Sequence, residues 1–114
     1  MRDPKERLRD ILDAIAALQR YSDRTRLDFD QDELLQVWFL RHLQIIGEAA
    51  RSIPEDIRAL APDIPWPNIV GMRNILVHGY FQIDTDMVWE AATRHVPALE
   101  PAIERLLHML EKQG

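Results

Sequence analysis

Four polar side chains suited to chemistry on a phosphodiester lie in one short, otherwise apolar segment of the chain. They are Arg73, Asn74, His78 and Tyr80, within residues 71–80. An arginine can neutralise the charge of a phosphate, and a histidine can accept or donate a proton near pH 7. This combination of side chains predicts a metal-free reaction at a phosphodiester.

The geometry of a regular helix separates two of these residues. Arg73 and His78 point about 140° apart on an ideal helix, so they cannot both reach one phosphate. They converge if the helix ends at about His78, where Gly79 favours termination, or if a second subunit completes the site across a two-fold axis. The alternative interpretation is a surface arginine and a helix-capping histidine, with Tyr80 packing after a turn.

Hydrophobic periodicity predicts helices along the whole chain and no strand. The predicted helices start at Pro4, at Asp32 after a capping box of Asp30 and Glu33, at Pro54, at Pro67 and at Asp84, with a loop at residues 22–30. Pro97 lies inside the last helix, where it removes a hydrogen bond and clashes with the preceding turn. We therefore predict one domain over residues 1–114, an all-α antiparallel bundle of about five helices whose last helix is broken near Pro97.

Composition excludes several classes of protein. The chain has no cysteine, which rules out disulfides, thiolate metal ligands and cysteine nucleophiles. Its formal net charge of −5 argues against broad, nonspecific nucleic-acid binding and confines RNA to a local basic cleft or to one built at a subunit interface. Neither a signal-peptide core, a membrane-spanning run nor a set of histidines at metal-ligand spacing is present, so we expect a cytoplasmic protein without a metal or other cofactor.

Glu48 is a charged residue among the apolar residues of the longest predicted helix. One interpretation is a buried carboxylate that pairs with Arg73 or Arg41 and holds the cleft in shape. The other is a solvated position at the edge of the apolar stripe, which is the common place for a glutamate in an amphipathic helix.

Several segments, in order, resemble one family. Arg73 and Asn74, then three residues, then His78, Gly79 and Tyr80 form an Arg-x4-His-x-Tyr motif. This motif resembles the signature of the HepT-like proteins of the HEPN superfamily. Residues 43–50, residues 64–67 with 71–74, and residues 84–89 resemble other segments of that family. Together the similar segments extend over most of residues 35–99.

The resemblance implies a helical homodimer that acts as the ribonuclease toxin of a type VII-like toxin–antitoxin system. It implies metal-independent RNA cleavage in a cleft at the dimer interface, with Arg73 and His78 as catalytic residues and Asn74 as the polar residue that follows the arginine. It also implies that a minimal, MntA-like nucleotidyltransferase antitoxin adenylylates Tyr80. An AMP group there would compete with RNA phosphate for the same arginine.

A second function remains open at this point. The chain would then be a non-catalytic subunit that presents a nucleotide or substrate to a minimal nucleotidyltransferase. The complete set of Arg73, Asn74, His78 and Tyr80 favours the ribonuclease, because a docking subunit has no need of all four side chains.

Overall fold

The computed structural model describes residues 3–77 and 84–113, with residues 74–77 described by their backbone alone. This part of the chain is helical and contains no strand, as the periodicity predicts. Its elements are α1 (Pro4–Gln19), α2 (Arg26–Gln31), α3 (Glu33–Arg51), α4 (Glu55–Arg58), α5 (Trp66–Val77), α6 (Thr85–Glu90), a π-helical turn (Ala91–His95), a 3₁₀ turn (Pro97–Leu99) and α7 (Glu100–Gln113).

The first helix begins where its capping residues predict. The side chain of Asp3 accepts a hydrogen bond from the Lys5 amide, and Pro4 occupies the first helical position. One face of α1 is buried in the core; it consists of Leu8, Ile11, Ala14, Ile15 and Leu18. An amphipathic stripe of this kind is what the spacing of apolar residues in the sequence predicts.

The prediction of a loop over residues 22–30 is wrong, because α2 forms within it. Thr25 and Asp28 make a reciprocal capping box, in which each side chain accepts a hydrogen bond from the other residue's amide. Phe29 is fully buried and anchors this short helix to the core. The cap of α3 also differs from the predicted Asp30, since the side chain of Asp32 accepts the bond from Leu35.

The central helix is α3, which contacts α1 on one side and α5 on another. The indole of Trp38, near the start of α3, donates to the carbonyl of Ala17 near the end of α1, at 3.0 Å. At the other end of the pair, Arg7 of α1 and Glu48 of α3 line the same cleft. The two helices are therefore antiparallel, as a bundle with short connections predicts.

An aromatic cluster joins the short helices to the bundle. The ring of Phe29 on α2 lies 5.1 Å from Phe39 on α3 and 5.3 Å from Trp89 on α6, measured between centroids. Arg26 adds a polar contact on the surface side, with its guanidinium 2.7 Å from Asp30 and 2.6 Å from Asp86. These contacts fix α2 against α3 and α6.

The predicted break near Pro97 is confirmed, and it takes the form of a π-helical turn. The amide of Val96 donates to the carbonyl of Ala91, five residues back, at 2.9 Å. This wider turn removes the steric conflict that Pro97 would meet with the carbonyl of Thr93 in a regular α-helix. Counting α6 to α7 as one broken helix, the described residues contain six helices, and α2 is the one that the sequence prediction lacks.

None of the helices in residues 3–77 and 84–113 is long and apolar enough to cross a lipid bilayer.

Candidate functional site

A close approach of two helices positions the first candidate residue, Arg73. A Cβ atom built on Gly47 of α3 would lie 3.1 Å from both Cβ and the amide nitrogen of Arg73 on α5. It would also lie 3.2 Å from the carbonyl oxygen of Ile69, one turn earlier on α5. Because glycine has no Cβ, the backbones of α3 and α5 can meet here, and this contact sets the position of Arg73 relative to α3.

Arg73 pairs with Glu48, the residue that follows Gly47. The Nε atom of Arg73 lies 2.5 Å from Oε2 of Glu48, and the two side chains are 38% and 51% exposed. Of the two partners considered for Glu48, the structure therefore has Arg73 rather than Arg41. The alternative of a buried carboxylate is wrong, because α3 leaves Glu48 at its solvent edge.

The ion pair borders a cleft of about 390 Å³ over the exposed face of α3, between α1 and α5. Its lining consists of Arg7, Asp10, Arg41, Gln44, Ile45, Glu48, Ala49 and Arg73. Three arginines face two acidic residues in this lining, whereas the chain as a whole carries −5. A local excess of positive charge in an acidic protein favours an anionic ligand at this place.

The structure describes no side-chain position for three of the predicted site residues. Asn74 follows Arg73 in α5, and its backbone alone is described. His78 and Tyr80 lie outside the described residues, as does the predicted helix end at about His78. Helix α5 is described as far as Val77.

The cleft also contains two basic residues to which sequence reasoning gave no site role. The sequence suggests Arg41 only as a partner for Glu48 and gives no indication of a role for Arg7. The sequence could have indicated a site role for Arg41, because Arg41, Gln44 and Glu48 are three and four residues apart and so share one helix face. No comparable signal exists for Arg7, which reaches the cleft through the packing of α1 against α3.

The charged groups that could hold a metal are too dispersed to do so in the described ranges. No group of three histidine, aspartate or glutamate side chains comes close enough there to bind a metal ion. The donor set of the cleft is dominated by arginine, which binds anions through its fixed fork of N–H groups.

The described residues form a small all-α fold with a cleft lined by three arginines and two acidic residues. Residues 11–106 match the family described as Ribonuclease HepT-like. The chain belongs to this HepT-like ribonuclease family.

Curated relatives extend over nearly the whole chain. The chain is 36% identical to "Probable ribonuclease HepT" of Thermococcus cleftensis over 106 residues, which cover 92% of this chain and 96% of that protein. It is 34% identical over 108 residues to a putative RNase of Caldanaerobacter subterraneus, covering 94% and 96% of the two chains. A third relative, "Gamma-glutamylcyclotransferase and putative RNase" of Methanocaldococcus jannaschii, is 34% identical over 97% of this chain and 50% of its own length. No solved structure matches the chain significantly.

Proposed function

We propose that this chain is the toxin of a type VII-like toxin–antitoxin pair, a metal-independent endoribonuclease that is silenced by adenylylation of Tyr80. The observation that carries the proposal is membership of the HepT-like ribonuclease family over residues 11–106. The position of Arg73 supports it, because this arginine lies on the edge of a basic cleft where an RNA phosphate can reach it.

The reaction needs no external nucleophile, because RNA carries one in its 2′-hydroxyl. The 2′-oxygen bonds to the adjacent phosphorus and the bond to the 5′-oxygen breaks, which leaves a 2′,3′-cyclic phosphate and a free 5′-hydroxyl. His78 takes the proton of the 2′-hydroxyl or supplies one to the leaving oxygen. Arg73 stabilises the negative charge on the phosphorane oxygens, and Asn74 orients His78 or binds a phosphate oxygen.

Glu48 acts in this proposal as a positioning residue for Arg73. Its carboxylate meets the guanidinium at Nε, which leaves the Nη groups to bind phosphate in a fork geometry. Both side chains are more than a third exposed, so the pair contributes little to the free energy of unfolding. The role of the pair is to hold the Arg73 guanidinium at the position that the reacting phosphate takes.

A homodimer is the third part of the proposal. Leu34 and Val37 are 83% and 49% exposed on α3, which is unusual for large apolar side chains. On an ideal helix they share one face with Arg41 and Glu48, because the spacings are three, four and seven residues. A second copy that covers this apolar face would bring its own cleft close to the first, in a symmetric arrangement.

Silencing follows from the chemistry of the modification. Transfer of AMP from ATP to the Tyr80 oxygen forms a phosphodiester and releases pyrophosphate. The added group carries a negative charge and a nucleoside next to the motif. It would occupy the space that RNA needs and compete for the same arginine.

The catalytic assignment is tested with purified protein, a generic RNA and EDTA in the buffer. We expect the wild type to cleave RNA, and Arg73→Ala and His78→Ala to lose about a hundredfold or more in kcat. Arg105→Gln, an exposed arginine on α7 outside the cleft, is the matched control and should keep full activity. A folded wild type that leaves RNA intact would refute the ribonuclease and favour the non-catalytic subunit.

The regulatory assignment is tested with a minimal nucleotidyltransferase of the proposed antitoxin class and ATP. Mass spectrometry should show AMP additions to the wild type and none to Tyr80→Phe, and the modified protein should no longer cleave RNA. Full modification of the phenylalanine variant would show that another residue is the acceptor.

The dimer is tested by sedimentation of Leu34→Glu with Val37→Glu. We expect the double variant to be a monomer with little activity. Leu60→Glu, at a side chain that is 39% exposed on a different surface, should remain a dimer. A wild type that is monomeric throughout the micromolar range would contradict this part of the proposal.

A further inference from the structure

Two arginines of the cleft have no acidic partner among the residues that the structure describes. Arg7 and Arg41 form no ion pair within residues 3–77 and 84–113, although both line the cleft that Arg73 borders. Several other arginines do form ion pairs; for example, Arg26 contacts Asp30 and Asp86, and Arg94 contacts Glu90. An unpaired guanidinium in a concave surface can bind an anionic ligand without first breaking an ion pair.

Arg41 lies well away along α3 from Glu48, the residue that pairs with Arg73. Arg41 precedes Glu48 by seven residues, which is about 10.5 Å along the axis of α3. Arg7 lines the same cleft from α1, and Arg73 lines it from α5. A strand whose phosphate is bound by Arg73 can therefore present other phosphates to Arg41 and Arg7.

We infer that Arg7 and Arg41 form a phosphate-binding subsite for single-stranded RNA, which holds the backbone next to the phosphate that is cleaved. This inference rests on the proposed ribonuclease function and adds residues that set substrate affinity rather than the chemical step. Gln44 also lines the cleft, one helical turn after Arg41 on α3, and its side-chain amide can donate to the same strand.

A single strand fits the cleft better than a duplex. The cleft measures about 390 Å³, and its three arginines lie on three helices, α1, α3 and α5, around a concave surface. A single strand can bend to place successive phosphates on Arg73 and then on Arg41, while a duplex presents a rigid, broad surface. The attack by a 2′-hydroxyl on its own phosphate also requires a strand that is free to adopt the in-line geometry.

The test measures binding of an uncleavable, 2′-O-methylated single-stranded oligonucleotide over a range of salt concentrations. Each lost phosphate contact lowers the slope of log K against log salt by about 0.7 for a single strand. We therefore expect a decrease of about 0.7 for Arg41→Gln and about 1.4 for the double variant with Arg7→Gln. The control Arg105→Gln removes the same charge from α7 and should keep the wild-type slope.

Cleavage kinetics give a second, independent measurement. In the double variant we expect KM to rise about tenfold or more while kcat stays within about threefold, because the contact is made equally in the ground state and the transition state. Circular dichroism checks that each variant is folded, and Arg41 is exposed enough for its removal to leave the core intact.

The outcomes separate this inference from the proposed function. Slopes and KM values equal to those of Arg105→Gln, in a protein that cleaves RNA, would overturn the subsite and leave the ribonuclease standing. A wild type that binds the oligonucleotide without cleaving RNA would overturn the ribonuclease, and the slopes would still decide the subsite. Loss of nucleotidyltransferase binding with unchanged RNA slopes would assign these arginines to the partner protein and overturn the inference.

Discussion

The contact between α3 and α5 at Gly47 can be tested by adding a single methyl group. Gly47→Ala places a Cβ atom 3.1 Å from two atoms of Arg73 and 3.2 Å from the Ile69 carbonyl oxygen. Two of these three atoms belong to the α5 backbone, so a change of side-chain rotamer cannot relieve the contact. Helix α5 must instead move away from α3 by a few tenths of an ångström.

Two opposing contributions set the change in the free energy of unfolding. Alanine is better than glycine inside a helix by about 1 kcal/mol. Overpacking at a close contact costs about 1–3 kcal/mol. The expected net effect of Gly47→Ala therefore lies between no change and a loss of about 2 kcal/mol.

Gly71 offers a control with the same chemical change. A Cβ built on Gly71 meets nothing within 4 Å, and the residue lies inside α5. Gly71→Ala should therefore keep the full helix-propensity gain of about 1 kcal/mol. The two variants should differ in stability by about 1–3 kcal/mol, with Gly71→Ala the more stable.

Urea unfolding measures this difference. All samples need the same protein concentration, because the stability of an oligomer depends on it. A shift of the midpoint at constant slope would report a change in stability alone. RNA cleavage should fall in Gly47→Ala, since Arg73 moves relative to Glu48, and should be retained in Gly71→Ala. Equal stability of the two alanine variants would refute the argument that Gly47 is required by a close helix approach.

Three further changes test other contacts. Phe29→Ala empties a fully buried position and should lower the free energy of unfolding by about 3–5 kcal/mol in urea. Hydrogen bonds from the Thr25 amide and hydroxyl lower the pKa of Asp28. The ionised carboxylate therefore stabilises the fold at neutral pH, and this stabilisation is lost as pH falls through the lowered pKa. The difference in the free energy of unfolding between wild type and Asp28→Asn should shrink in acid. Glu48→Gln should change stability by less than about 1 kcal/mol yet lower kcat, and an unchanged kcat would contradict a positioning role toward Arg73.

The long helices were predictable from sequence because each carries a sustained apolar stripe. The stripe of α1 and its cap at Asp3 place that helix to within a residue or two. Helix α2 lacked this signal, since six residues complete fewer than two turns and Phe29 is the one residue of α2 that is buried. Its capping box of Thr25 and Asp28 was the available clue, and it lies within a polar segment that otherwise has the composition of a loop.

The candidate site was predictable in part, for a related reason. Residue types and spacing pointed to Arg73, and the apolar surroundings of Glu48 suggested that it pairs with Arg73 or Arg41. The choice between these partners depends on the distance between α3 and α5, which Gly47 determines and which a periodic pattern does not contain. Arg7 was missed because it joins the cleft through tertiary packing alone.

The π-helical turn between α6 and α7 also limits how the length of the chain can vary. Deleting one residue from this turn would allow regular α-helical hydrogen bonding, but it would rotate α7 by about 100° about its axis. The side chains that α7 buries are Ile103, Leu106 and Leu110, and this rotation would turn them away from α1. The register of α7 against the bundle therefore depends on the number of residues in this turn. A deletion there would disrupt the packing of α7 against α1 while α7 itself stayed helical.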